Sequence, residues 1–267
     1  MVSHETLIFK NKSIFNTLGY ILMLTVNILA VVLPINGKTT AQISEEYPNL
    51  FAPAHFTFLI WGLIYFSIGI FIIYQLWLAF SNKHPEALSR LMQKMKEWFL
   101  ISSVANACWL FAWHYHLIPV SVVIMFMLLI TLAIIHLNFH IGTVPATLPE
   151  KWFIHFPFSL YLGWLAIAAM ANVTTLLVYA GWEGSLHTQI RWTIGLIGLG
   201  TLSSMAMVLL RNNIIYALVS VWAFYGILVK RKGADILEEN AIVHSCIIAI
   251  GLIAITISWQ FYRKQKS

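Results

Sequence analysis

The chain of 267 residues is 60% hydrophobic and only 10% charged, whereas a water-soluble domain carries about a quarter of its residues as charge. Its formal charge of +6 arises from 16 Lys and Arg against 10 Asp and Glu, placed between long apolar runs. This pattern excludes a soluble globular fold, offers no nucleic-acid-binding surface, and makes anionic lipid headgroups the natural counter-charge.

The runs predict an all-α, polytopic transmembrane helical bundle of about eight spans, each near the ~20 residues that a bilayer core requires. The first, Ile14–Leu33, follows Lys10 and Lys12 as a signal peptide would, but its length and the lack of a small-x-small cleavage site predict a retained helix. The connection PINGKTTAQISEEYPNLFAPAH leads to the second span, Phe56–Phe80, with Pro53 suited to the first turn of a helix. Next comes SNKHPEALSRLMQKMKEW, basic, with Leu88, Leu91, Met92, Met95 and Trp98 at helical spacing; it predicts an amphipathic segment lying on the membrane surface. Trp98–Trp113, Val120–Phe139 and Phe156–Val178 are the third to fifth spans. Trp192–Leu210 carries Gly200 and Ser204 four apart, the spacing of a close helix–helix contact. Ile214–Val229 and Ala241–Trp259 complete the series.

None of these spans holds an Asp, Glu, Lys or Arg, which argues against a pump or a voltage sensor. With the N-terminus inside, eleven of the 16 Lys and Arg fall on the inner side and five on the outer, with Lys230, Arg231 and Lys232 running against the rule. Both termini are therefore expected in the cytoplasm, in a multi-pass protein of the plasma membrane. Cys108 and Cys246 lie inside spans and read as small apolar packing residues. His136 and His140, four apart, could face one way, but two histidines fall short of the three or four ligands of a metal site, so none is expected. A lone histidine can ligate haem iron, with His55 or His116 as candidates.

The 11 Trp, 10 Tyr and 17 Phe exceed what interfacial belts need. At about 100° per residue, Phe58, Trp61, Tyr65, Gly69 and Ile72 share one face of the second helix. Ser102, Asn106, Trp109 and Trp113 do so on the third, and Tyr161, Trp164, Ala168, Asn172 and Thr175 on the fifth. Asparagine amides need hydrogen-bond partners in hydrocarbon, so these faces should point inward. Either they pack helix on helix, or together they line a pocket for a flat, largely apolar ligand.

These stripes resemble the tryptophan-rich sensory protein family, also called the translocator protein or peripheral benzodiazepine receptor family. Its second-helix pattern is matched by Pro53, Trp61, Tyr65, Gly69 and Trp77, its third-helix N-x-x-W by Asn106 and Trp109, and its fifth-helix pattern by Tyr161, Trp164 and Asn172. The resemblance covers about residues 14–178; His55 stands where the family usually has tryptophan. It implies a five-helix core, 1–185, carrying an aromatic pocket, with residues 186–267 as a three-helix extension. The ligand-binding set it implies is Pro53, His55, Phe58, Trp61, Tyr65, Asn106, Trp109, Trp113, Tyr161, Trp164 and Asn172. It implies a tetrapyrrole such as porphyrin or haem, or a sterol-like molecule, as partner beside the lipid bilayer, with no catalytic residues and no obligatory cofactor. The expected function is binding or sensing, in transport or stress signalling, rather than catalysis. A facilitator of a small solute and a light-dependent porphyrin-degrading activity are the alternatives, and self-association stays open.

Overall fold

The computed structural model describes residues 4–33, 35–81 and 83–266. Long helices make up most of them: α1 His4–Val32, α2 Ile60–Phe80, α3 Pro85–Met95, α4 Trp98–His114, α5 Ile118–Asn138, α6 Phe156–Tyr179, α7 Leu186–Arg211, α8 Ile214–Ala234 and α9 Asn240–Lys266. Shorter pieces precede two of them: a 3-10 turn, His55–Leu59, runs into α2, and a π-helical turn, Lys151–His155, runs into α6. Among the described residues seven helices are long and apolar enough to cross a membrane. α4, with 17 residues, is about 25 Å long at 1.5 Å per residue, the short end of the spanning range. The protein is a multi-pass membrane bundle.

The helices outrun their apolar stretches where charged side chains find partners. α1 starts at His4 rather than Ile14 because its first turns are held from the side: Lys12 Nζ meets Glu97 Oε1 at 2.7 Å, and Lys10 Nζ lies 5.7 Å from the Phe80 ring centroid. Two consecutive asparagines make the tight turn between α7 and α8. Asn212 takes the left-handed conformation (φ 49°) that stops α7, and the Asn213 side chain accepts from Tyr216 N at 3.1 Å to start α8.

The chain packs as two units, Met1–Thr40 with Trp61–Tyr161, and Ala41–Ile60 with Leu162–Ser267. In the first, α1 packs on α4, α4 on α5, and α3 on α1 and α5. Its core holds Phe71, Phe99 and Phe158, fully buried and edge-on to one another at 5.1–6.1 Å. Beside it a buried polar pair ties α2 to α1: Asn16 Nδ2 donates to Gln75 Oε1 at 3.1 Å, and Gln75 Nε2 to Ser13 O at 3.3 Å. The apolar stripe of α3, expected to face lipid, is instead protein core: Leu88, Leu91, Met92 and Met95 are all buried. Periodicity shows that a helix has an apolar face but not what covers it.

In the second unit α7, α8 and α9 pack on one another. Gly200 does mark a close approach, since a methyl there would lie 2.9 Å from Phe224 of α8 and 3.2 Å from Ile167 of α6. The 3-10 turn is clamped to α8. Ala54 N donates to Gly226 O at 3.1 Å, Trp222 Nε1 donates to Thr57 O at 3.0 Å, and Phe56 sits edge-on to Trp222 and Tyr225. Gly226 is required by that approach, because any Cβ would overlap the Thr57 side chain.

Candidate functional site

α2 and α4 each carry two large rings one helical turn apart, and in both cases the rings stack. Trp61 lies on Tyr65 with centroids 5.5 Å apart and planes 13° from parallel; Trp109 lies on Trp113 at 5.4 Å and 22°. The stacks meet through Trp61, which is 6.4 Å from Trp109 and sits edge-on to Tyr161 of α6 at 6.1 Å. Tyr65, Trp109, Trp113 and Tyr161 are buried, while Trp61 keeps part of its surface open.

The polar atoms of the cluster bond to one another. Asn106 Nδ2 donates to the Tyr161 hydroxyl at 2.7 Å and reaches the Tyr65 hydroxyl at 3.5 Å. Asn106 Oδ1 accepts from Asn27 Nδ2 at 2.7 Å, and Asn27 Oδ1 accepts from the Tyr65 hydroxyl at 2.6 Å. Tyr20 of α1 closes the set by donating to Tyr65 O at 3.0 Å; Gly69 leaves room for that hydroxyl, since a methyl there would lie 2.6 Å from it. Such a network in hydrocarbon fixes the relative rotation of α1, α2, α4 and α6, because each amide or hydroxyl has its partner on another helix.

The end of α4 is tied to the residues that follow α1. Trp113 Nε1 donates to Thr40 O at 3.2 Å, and Asn36 Nδ2 donates to His114 O at 3.0 Å. Buried His114 places Nδ1 2.9 Å from Ile35 O and Nε2 3.1 Å from Thr40 Oγ1. A carbonyl only accepts, so Nδ1 carries a proton toward Ile35 O.

The second unit has its own aromatic set. Trp164 is buried and edge-on to Phe58 at 6.2 Å, and Asn172 is buried two turns along the same helix. Pro53 is buried just ahead of the 3-10 turn rather than in its first turn, since Ala54 is already the N-cap. His55 is exposed, with Nε2 2.6 Å from Glu45 Oε1.

The family model for TSPO-like protein matches residues 13–259. The chain belongs to that family. No curated protein and no solved structure matches it. The match takes in α7, α8 and α9, so the TSPO-like pattern runs well past residues 14–178, where the aromatic motifs lie.

Of the side chains singled out in the sequence of this TSPO-like chain, the structure brings Trp61, Tyr65, Asn106, Trp109, Trp113 and Tyr161 into one cluster; Pro53, His55, Phe58, Trp164 and Asn172 belong to the other unit. Phe58 lies in the 3-10 turn, His55–Leu59, whereas Trp61 belongs to α2, which begins at Ile60. His136 is buried but His140 lies past the end of α5 at φ 49°, so the two are not on one face. Asn27, Tyr20 and Thr40 were missed. Asn27 had a signal, since Asn16, Tyr20, Met23 and Asn27 share one face of the first apolar run at about 100° per residue, but that face carries no tryptophan.

Proposed function

We propose that this protein binds a planar, largely apolar amphiphile of the tetrapyrrole class, with Trp61, Tyr65, Trp109, Trp113 and Tyr161 as the stacking surface, and serves in its sensing or transport. The observation that carries the reading is the position of Trp61, in ring contact with Tyr65, Trp109 and Tyr161 while itself partly open. Leucine would fill helix contacts as well; several π faces held in fixed register suit a flat polarisable partner. The surrounding amides and hydroxyls are engaged with one another, so the cluster offers aromatic surface with few polar groups, the usual makeup of a small-molecule site. The Lys and Arg distribution supports a plasma-membrane protein with both termini in the cytoplasm.

Titrating the purified protein with protoporphyrin tests the binding. Saturable quenching of tryptophan fluorescence that weakens in Trp61→Ala is expected. Quenching that never saturates, or that is unchanged in Trp61→Ala, overturns it. Orientation is tested by labelling cysteines introduced at Ser3 and Ser267: no label should enter from outside intact cells.

A further inference from the structure

A second feature of the first unit lies away from the aromatic cluster. A cleft of about 50 Å³ opens between α3 and the segment leading into α6, lined by Tyr74, Arg90, Lys94, Phe139, Thr147 and Glu150, with Ala87, Leu91 and Ile154 as its apolar wall. It is far below the ~300 Å³ at which pockets for whole small molecules begin, and suits one compact group.

The charges in this cleft do not balance. Arg90 and Lys94 stand four residues apart on α3, a spacing at which like charges repel. Among the described residues neither makes an ion pair within 4.0 Å. The one carboxylate in the cleft, Glu150, lies in the field of both cations and offsets one of the two charges, while its Oε2 hydrogen bonds go to its own helix start, accepting from Thr147 N at 2.9 Å and Thr147 Oγ1 at 2.8 Å. Lys151 adds a further positive charge on the following turn. The walls are rigid: α3 is seated by its four buried apolar side chains, and Asn138 Nδ2 holds Lys94 O at 2.9 Å. Lys94 Nζ is further positioned 5.8 Å from the Phe139 ring centroid. The Tyr74 hydroxyl makes no hydrogen bond among the described residues and is available as a donor.

The setting points to the source of the anion. The cleft lies where α2 ends, α5 ends and α6 begins, the level of the headgroups for helices that cross a bilayer. Tyr74 belongs to an aromatic shelf, 4.8 Å from Phe153 and stacked on Trp77 at 6.3 Å, and Trp77 is half exposed. Amphipathic rings of this kind sit where headgroup meets acyl chain.

We infer that this cleft binds the phosphate of an anionic phospholipid, with Arg90 and Lys94 as its charge partners, Tyr74 as a hydroxyl donor, and Tyr74, Trp77 and Phe153 against the start of the acyl chains. Arginine can grip a phosphate through two parallel N–H bonds, and lysine adds a mobile point charge.

The test is native mass spectrometry of the full-length protein, purified and given equal amounts of phosphatidylglycerol and phosphatidylcholine. Wild type should retain phosphatidylglycerol preferentially. The preference should fall roughly fivefold for each cleft charge removed, in Arg90→Gln and in Lys94→Gln. Lys94→Arg, which keeps the charge, should hold it, as should the pair Arg263→Gln and Lys264→Gln at the end of α9. A wild type that shows no preference overturns the inference whatever the variants do. So does an equal preference in wild type and in Arg90→Gln with Lys94→Gln. Inorganic phosphate is tested separately by thermal shift without lipid: no stabilisation supports the lipid, whereas stabilisation that is lost in the same variants assigns the cleft to free phosphate and overturns it.

Discussion

Asn106 donates to the Tyr161 hydroxyl across 2.7 Å, joining α4 to α6, and the same side chain accepts from Asn27 of α1. One amide thus holds three helices in register beside the stacked rings.

Replacing Asn106 by leucine should cost about 1–3 kcal/mol, because the buried Tyr161 hydroxyl loses its donor and Asn27 loses an acceptor. Asn27 retains Met23 O, so the larger share falls on Tyr161. Asn106→Leu combined with Tyr161→Phe should then be less destabilised than the sum of the two single changes, since no hydroxyl is left stranded. Thermal unfolding of the four proteins in detergent measures the coupling; strict additivity would show that the bond is not felt.

Gly226→Ala should destabilise by about 1–3 kcal/mol, since the new methyl enters the space of Thr57. Thr57→Ala alone should be nearly neutral, because the buried Thr57 hydroxyl has no hydrogen-bond partner among the described residues. Together the two changes should recover part of the loss. Proteolysis of the 41–59 segment gives a local readout, with faster cleavage expected in Gly226→Ala.

The ion pair between Lys12 and Glu97 predicts a small acid sensitivity. The hydrogen bond from Lys12 holds the Glu97 carboxyl below its usual range. A carboxyl depressed in the folded state adds stability above its unfolded value of about 4.3, and that stability is lost as the pH falls through the lower folded value. Glu97 is largely exposed, so less than about 1 kcal/mol is at stake. Unfolding midpoints followed from pH 6 downward should drop more for wild type than for Lys12→Gln, and parallel curves would remove the pair from consideration.

Trp61→Ala should weaken porphyrin binding by about 1–3 kcal/mol, the usual cost of a lost stacking partner. Trp259→Ala is the control: that ring is exposed on α9 and pairs only with Tyr262 in the ring contacts of the described residues. Equal losses in the two variants would show that the Trp61 cluster is packing alone.

The long helices were legible because a bilayer demands uninterrupted apolar length: α2, α4, α5 and α6 end within about two residues of the apolar runs. The inward faces of α4 and α6 were legible as well, since Asn106 and Asn172 could not face lipid and both are buried. What escaped was partnership. The face of α1 shared by Asn16, Tyr20 and Asn27 points inward, but nothing in its spacing tells that Asn27 meets Asn106. The apolar side of α3 could not be assigned to lipid or protein by spacing, because periodicity gives a face and not its cover.

The π-helical turn at Lys151–His155 acts as a phase setter. Phe156 N reaches back five residues to Lys151 O, one more than an α-helix allows, so this turn holds one residue beyond the α-helical count. Deleting a single residue there would restore ordinary spacing and swing everything before it by about 100° around the axis of α6. Glu150 and Thr147 would rotate away from Arg90 and Lys94 while Tyr161 stayed against Asn106. The charged cleft and the aromatic cluster are therefore indexed to each other by that one extra residue, like two gears keyed to a common shaft.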